Sequence, residues 1–202
     1  MGVGIRRAGA GDRERIVGLL DRAFMDDPVS GWVFPGVEYR RVRHSGLMGA
    51  FTDATLAEGS GGYVDLLEDG SAVALWMDVP DEPHDAGDED GPAQVREAVD
   101  PDNARIEAIA RTLDGAHPQG RAHTYLWMIG VAPERQGEGL GTALMAPVLD
   151  RCDREGRPAY LEASSARSRV LYERLGFTTM DRPIRLPDGP TMWPMWREPQ
   201  NR

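Results

Sequence analysis

The chain has 202 residues, 41% of them apolar, and a formal charge of −10, which suits one domain, since domains run about 100–200 residues. All 23 basic residues are arginine. Without lysine there is no Walker A loop, no kinase-type strand lysine and no Schiff-base chemistry with pyridoxal phosphate or a sugar carbonyl.

Cys152 is the only cysteine, so neither an internal disulfide nor a multi-cysteine zinc site can form, and no metal is expected. One thiol fits a reducing, cytoplasmic setting. The acidic balance repels nucleic acid and anionic lipid and favours cationic small molecules such as amines. The opening MGVGIRRAGAGDRERI has no long apolar run, and no window approaches the ~20 apolar residues that span a bilayer. The expectation is no export and no membrane segment.

Val3 to Arg7 reads as a short strand, and Gly9 to Asp12 as a turn and N-cap. Ile16, Leu19, Leu20, Ala23 and Phe24 then form a helical apolar stripe, which Asp26-Asp-Pro28 stops. A looser helix spans Glu38 to Glu58, carrying Val42, Leu47, Met48, Phe51 and Leu56. Tyr63 to Leu67 and Ser71 to Val79 flank Glu68-Asp-Gly70 as a hairpin. Asp78 to Asp100 holds nine acids against one arginine. Residues 81–100 therefore read as an acidic insertion, with Asp81–Pro92 an exposed loop.

A helix over Asn103 to Leu113 presents Ile106, Ile109, Ala110 and Leu113. His123 to Val131 is apolar or aromatic on both faces, as a central, doubly covered strand should be. A glycine-rich turn leads into a helix from Leu140 to Glu155, closed by Gly156 and Pro158. Its core face is Leu140, Leu144, Val148 and Cys152, so Cys152 reads as a buried apolar residue, not a nucleophile. Pro147 removes one backbone donor and should kink this helix. Pro158 to Ala163 is a strand, Arg167 to Leu175 a short helix, and Phe177 to Leu186 pairs antiparallel with Thr191 to Arg197. With no repeat and no linker, residues 1–202 read as a single domain.

The segment Val131-Ala-Pro-Glu-Arg135-Gln-Gly-Glu-Gly139-Leu-Gly141 lies between a strand and a helix. Gly137, Gly139 and Gly141 let the backbone approach a ligand closely. The first turn of the following helix adds free N–H groups and its dipole, so the segment can cradle a pyrophosphate. A dinucleotide-binding unit would place its glycines early and spaced differently, and a P-loop needs lysine.

Gln136-x-x-Gly139-x-Gly141 after Ile129-Gly-Val131-x-Pro133 resembles the acetyl-CoA loop of the GCN5-related N-acetyltransferase (GNAT) superfamily. Leu171-Tyr-Glu-Arg-Leu-Gly-Phe177 resembles that superfamily's Tyr-x-x-x-Gly-Phe segment. Within it, Trp127 to Pro199 is similar to the puromycin N-acetyltransferases. The shared features are Gln-Gly-x-Gly-Leu-Gly, Pro147, Gly156-x-Pro158-Ala-x-Leu-Glu162-x-Ser, Tyr-Glu-Arg-Leu-Gly-Phe and Gly189-Pro-x-x-Trp193-x-Met195.

The resemblance implies an α/β (α+β) fold: a mixed, mostly antiparallel central sheet flanked by helices, with the strand ending at Val131 splayed from the strand at Ala159–Ala163. It implies acetyl-CoA as co-substrate in that wedge. Ile129, Gly130 and Val131 would meet the pantetheine arm, and Gln136, Gly137, Glu138, Gly139, Leu140, Gly141 and Thr142 the pyrophosphate. Arg135 would reach a phosphate or face solvent. Ser164 or Ser165 would hydrogen-bond the arm, although many members carry asparagine at the position of Ser165.

The implied chemistry is direct attack of an amine on the thioester, with Tyr172 as the acid that protonates the departing thiolate, a phenol of pKa near 10 being suited to that. The alternative is that Tyr172 packs under the cofactor and only hydrogen-bonds. Some members place a base on the central strand, but His-Thr-Tyr-Leu-Trp-Met-Ile has no acid. Glu162 is then the candidate base, or else a structural partner of an arginine. His123, with a suitable unperturbed pKa near 6.5, lies a strand's length away, and His117 sits in a loop. Phe24, Trp32, Phe34 and Trp76 are candidates for the acceptor pocket or for plain core.

The expected acceptor is a small-molecule amine, antibiotic-like or amino-acid-like, with no nucleic acid and no membrane as partner. A homodimer is compatible with the superfamily's habits. The competing activities are acetylation of a protein lysine or N-terminus, with the acids at Asp81–Asp90 attracting a basic peptide, and a non-catalytic CoA-binding regulatory module. Lacking lysine, the chain cannot acetylate its own side-chain amines.

Overall fold

Alternation along one strand sets up two cores. Strand β3 (Ala72–Val79) sends Val73 and Leu75 to one face and Ala72, Ala74 and Trp76 to the other, all fully buried, so both faces of the sheet must be covered. The computed structural model describes residues 4–81 and 90–200. Around β3 it places β1 (Ile5–Arg7), β2 (Gly62–Leu67), β4 (His123–Val131), β5 (Ala159–Ala163), β6 (Thr178–Thr179), β7 (Ile184–Arg185) and β8 (Thr191–Arg197). The strand order is β1-β2-β3-β4-β5-β8-β6, with β7 also on β8. Only β4 and β5 run parallel; the other pairs are antiparallel.

The helices are α1 (Arg13–Phe24), α2 (Pro28–Val33), α3 (Val37–Leu56), α4 (Gly91–Val99), α5 (Ala104–Ala116), α6 (Leu140–Glu155) and α7 (Ala166–Arg174). One core joins α1, α3 and α5 to Val73, Leu75 and Met128. The second joins α6 and Tyr172 of α7 to Ala74, Trp76, Leu126 and Leu161. The expected mixed sheet, its hairpin and its doubly covered β4 are all present, and Cys152 is fully buried, where burial pushes its thiol pKa up.

Several expectations fail for identifiable reasons. The Asp26-Asp-Pro28 stop is also a start, because Asp27 caps α2 by accepting from the N–H groups of Val29 and Ser30, with Pro28 in the first turn. Val42 is 74% exposed. The inner face of α3 carries Arg40, His44, Thr52 and Thr55 beside Leu47 and Met48, which blurs its apolar period. Part of the acidic 81–100 segment is helical: α4 opens with Pro92 in its first turn and packs Val95 and Val99 on the core. Residues 82–89 and Val3 lie outside the described residues. Helix α6 has the expected bounds, Leu140–Glu155, with Pro147 inside it. No helix among the described residues is long and apolar enough to cross a membrane.

Candidate active site

The site begins where two parallel strands part. Strands β4 and β5 pair at Thr124–Ala159, Tyr125–Tyr160 and Leu126–Leu161, and no further. Beyond that point β4 stays on β3 as far as Val131, whereas β5 continues on β8 through Ala163. The β3–β4 register shifts between Leu75 and Trp76, leaving Trp127 as an extra residue on β4, and such a bulge bends and twists its strand. Among the described residues the edge of Trp127–Val131 away from β3 has no strand partner. It opens into a cavity of about 800 Å³.

At one end of the cavity lies the glycine segment. Gly137 and Gly139 have φ of +88° and +80°, values that side chains rarely adopt, and an added Cβ at either would meet nothing within 4 Å. Gly139 precedes α6 with no side-chain cap, and the first backbone bond is Ala143 N–H to Gly139 O. The N–H groups of Leu140, Gly141 and Thr142 thus precede the helix's own bonding. An open strand edge and uncapped N–H groups on one cavity fit an extended, phosphate-bearing ligand such as coenzyme A.

Arg135 borders the cavity and is tied to Glu138 at 2.8 Å and Asp69 at 3.3 Å. Glu138 is absent from the residues that border the cavity, and its carboxylate is engaged by Arg135. Gln136 donates to Val131 O at 3.3 Å. Ser164 and Ser165 also border the cavity, but their hydroxyls have protein partners. Ser165 caps α7 in a reciprocal box with Ser168, and Ser164 Oγ donates to Asp27 Oδ2 at 2.5 Å.

Two titratable groups approach the wedge from opposite sides. Glu162, next to the end of β5, lines the cavity and is partly exposed through it. Burial raises its carboxyl to about 7, against the lowering effect of the Tyr125 hydroxyl, which donates to Oε2 at 2.7 Å. Glu162 Oε1 and the Tyr160 hydroxyl are buried without a well-aligned hydrogen bond, and the Tyr160 hydroxyl, like that of Tyr125, favours the Glu162 carboxylate. Among the described residues no arginine forms an ion pair with Glu162; its partner is Tyr125. Tyr172 of α7 is largely buried, borders the cavity and stands edge-on to Phe177. Burial, with the charge of Asp27, keeps its phenol protonated well above the usual value.

The far half of the cavity is apolar. Phe24, Val33, Leu47, Met48, Phe51, Ile109, Leu113 and Trp127 wall it, and Phe51 lies 4.9 Å from Trp127 between ring centroids. Of the aromatic residues proposed for an acceptor pocket, only Phe24 is there. Trp32 is buried and donates to Pro187 O at 2.8 Å, Phe34 is core, and Trp76 sits in the opposite core beneath α6, stacked on Tyr63. His123 and His117 pair Nε2 to Nε2 at 3.0 Å in an aromatic cluster with Tyr125, Tyr160 and Trp196; of this cluster Tyr125 borders the cavity and the two histidines do not.

Sequence reasoning missed Asp27, Ser30 and Tyr125, all of which border the cavity. The Asp-Pro pair was the available signal for Asp27, since a cap side chain must sit at a helix mouth. Among the described residues no three His, Cys, Asp or Glu gather as a metal-binding group.

Known proteins share the family and the fold. The model of the acetyltransferase (GNAT) family matches residues 35–177. An uncharacterized N-acetyltransferase of Schizosaccharomyces pombe is 43% identical over 53 residues, 26% of this chain and 22% of that protein, so the chain matches about a fifth of that relative's length. A Corynebacterium glutamicum structure described as histone acetyltransferase HPA2 and related acetyltransferase superposes with a TM-score of 0.68 at 25% identity, covering 100% of this chain and 99% of the other. PaiA N-acetyltransferase of Thermoplasma acidophilum, solved with coenzyme A, has a TM-score of 0.56 at 12% identity, covering 98% and 99%.

Proposed function

Because the chain belongs to the GNAT acetyltransferase family, we propose that it moves an acetyl group from acetyl-CoA to the primary amine of a small molecule with an apolar body. The observation that carries this reading is a single cavity whose one end is a glycine-built anion cradle and whose other end is an apolar chamber, with Glu162, Asp27 and Tyr172 between them. Acetyl-CoA, when bound, supplies an acetyl group activated as a thioester.

The unpaired edge at Ile129 and Val131 would hold the pantetheine arm as an added strand, and residues 136–142 the pyrophosphate, with Arg135 at the loop's rim. Asp27 presents a carboxylate to an incoming ammonium. Glu162, poised near neutrality, accepts a proton so that the nitrogen attacks as a free amine. Tyr172, protonated at any physiological pH, gives its proton to the leaving sulfur. The apolar walls select against fully polar acceptors, because burying an unpaired polar group there is costly. The likeness of Trp127–Pro199 to puromycin N-acetyltransferases makes puromycin one natural candidate, and the lone buried thiol suits a cytoplasmic protein.

The test is thiol release from acetyl-CoA against arylalkylamines, puromycin, aminoglycosides, amino acids, polyamines and a lysine-rich peptide. Turnover of an amine with an apolar body is expected. Turnover of the peptide alone, suppressed by salt and polycations, would replace this reading with a protein acetyltransferase. Tight acetyl-CoA binding without any product would replace it with a binding module.

A further inference from the structure

Three polar residues from three helices meet beside the acceptor half of the cavity. His44 of α3 has no exposed surface. Its Nδ1 lies 2.8 Å from Asp21 Oδ1 of α1, and its Nε2 lies 2.9 Å from Ser30 Oγ of α2. A carboxylate can only accept, so in the neutral ring Nδ1 carries the hydrogen. Nε2 then presents its lone pair to the Ser30 hydroxyl, which donates. Burial pushes the imidazole below its ordinary pKa; Asp21 and Asp27 pull it up, and Arg40 on its own helix pushes it further down. The ring of Phe34 stands edge-on to it.

Ser30 borders the cavity in the first turn of α2. It is one turn beyond Asp27, whose other carboxylate oxygen reaches Ser164. With its own hydrogen committed to His44, Ser30 Oγ can only accept from a ligand. An aspartate, a histidine and a serine in this order also suit a nucleophile, but the nearby N–H groups of Val29 and Ser30 are held by Asp27. An oxyanion formed on attack by Ser30 would therefore lack those donors. The arrangement is better suited to moving a proton.

We propose that Asp21, His44 and Ser30 form a proton relay that takes a proton from the acceptor amine, an inference that rests on the acetyltransferase reading. An ammonium acceptor loses two protons on becoming an amide: the C–N bond forms, the C–S bond breaks, the sulfur takes one proton and one is released. Glu162 accepts the first, which in the balance replaces the proton that Tyr172 gives to the sulfur. The second passes to Ser30 Oγ as the serine's own proton passes to His44 Nε2, and Asp21 stabilises the resulting imidazolium. The Asp21 side chain is 24% exposed, which gives that proton a way out. Ser30 is the catalytic residue of the three; His44 and Asp21 are positioning residues.

The test compares S30A, H44Q and E162Q with the full-length chain on an amine it acetylates. S30A is expected to lower kcat about a hundredfold, with calorimetric acetyl-CoA affinity unchanged. It should also lose the lower of two acid limbs in the kcat profile, which E162Q keeps. H44Q should match S30A, and the double variant should be no worse than either. Should H44Q fail to fold, S30A decides. Histidine-selective 15N NMR of the unliganded chain should show His44 neutral at pH 7 with its hydrogen on Nδ1.

An S30A kcat within twofold of wild type at every pH overturns the relay and leaves the acetyltransferase reading standing. So does an imidazolium at pH 7 or a hydrogen on Nε2. Silence of the wild type on every amine overturns both.

Discussion

The two halves of the cavity are built from different materials. The proposed ligand cradle is backbone: the edge of β4 beyond its pairing with β5 and the N–H groups that open α6. The proposed acceptor half is side chain, gathered from α1, α2, α3, α5 and β4. Backbone sites need glycine at fixed positions, because only glycine takes the φ values of Gly137 and Gly139 without strain. A side-chain wall needs only residues of suitable size, and many combinations serve. The cradle should therefore fail sharply on single substitutions, and the wall gradually.

The largest effect is expected where the halves meet. Tyr172→Phe should lower kcat about a thousandfold while leaving acetyl-CoA affinity within threefold, since proton transfer contributes about 10²–10⁴ in rate. Single-turnover kinetics and calorimetry separate the two. If affinity falls and kcat holds, Tyr172 belongs to the cradle and not to the junction.

Glu162→Gln comes next, with kcat down about a hundredfold at pH 8 and the activity limb near pH 7 lost. Stability gives an independent check. Burial lifts the Glu162 carboxyl from 4.5 to about 7 in the folded chain. Between those values the folded state binds the proton more tightly than the unfolded state, and stability falls as pH rises through that window. The glutamine variant lacks this fall. Its Tm relative to wild type should increase from pH 5 to pH 8, and a difference independent of pH would mean that Glu162 is not perturbed.

The contrast between the halves also explains what could be foreseen. The fold and the wedge were legible because Gln136, Gly139, Gly141 and the Tyr172 segment resemble the motifs of the GNAT superfamily, and the loop because its glycines free the backbone to approach a ligand. Helix α2 and Asp27 were not, since Asp-Pro ends one helix and begins another with the same two residues. Trp76 was misplaced because an aromatic residue on a strand next to the site can face either side, and the alternation along β3 puts it with Ala72 and Ala74 on the face beneath α6. Val42 failed for a related reason: His44, Arg40, Thr52 and Thr55 are buried in pairings with distant elements or with their own helix, and hydrophobic periodicity cannot register buried polar residues.

Gly139→Val tests the cradle alone. A branched residue at φ +80° carries a backbone penalty of about 1–2 kcal/mol and distorts the start of α6, so acetyl-CoA affinity should fall about thirtyfold. The amine KM extrapolated to saturating acetyl-CoA should stay within threefold. Equal losses on both ligands would mean that the halves are not separable.

The smallest effect separates the acceptor wall from the core behind it. Phe51→Ala removes a ring that faces the cavity against Trp127. It should raise the amine KM about tenfold, the equivalent of about 1.4 kcal/mol, with acetyl-CoA KM unchanged. Trp76→Phe removes more indole than it replaces, but from the fully buried core beneath α6. Its Nε1–H has no partner to lose, so the cost is volume alone, about 1 kcal/mol of stability, with the amine KM within twofold of wild type. A tenfold KM change in the tryptophan variant would require the sheet to transmit packing from one face to the other. The two cores would then act as one, and the wall would no longer be set by the residues that line it.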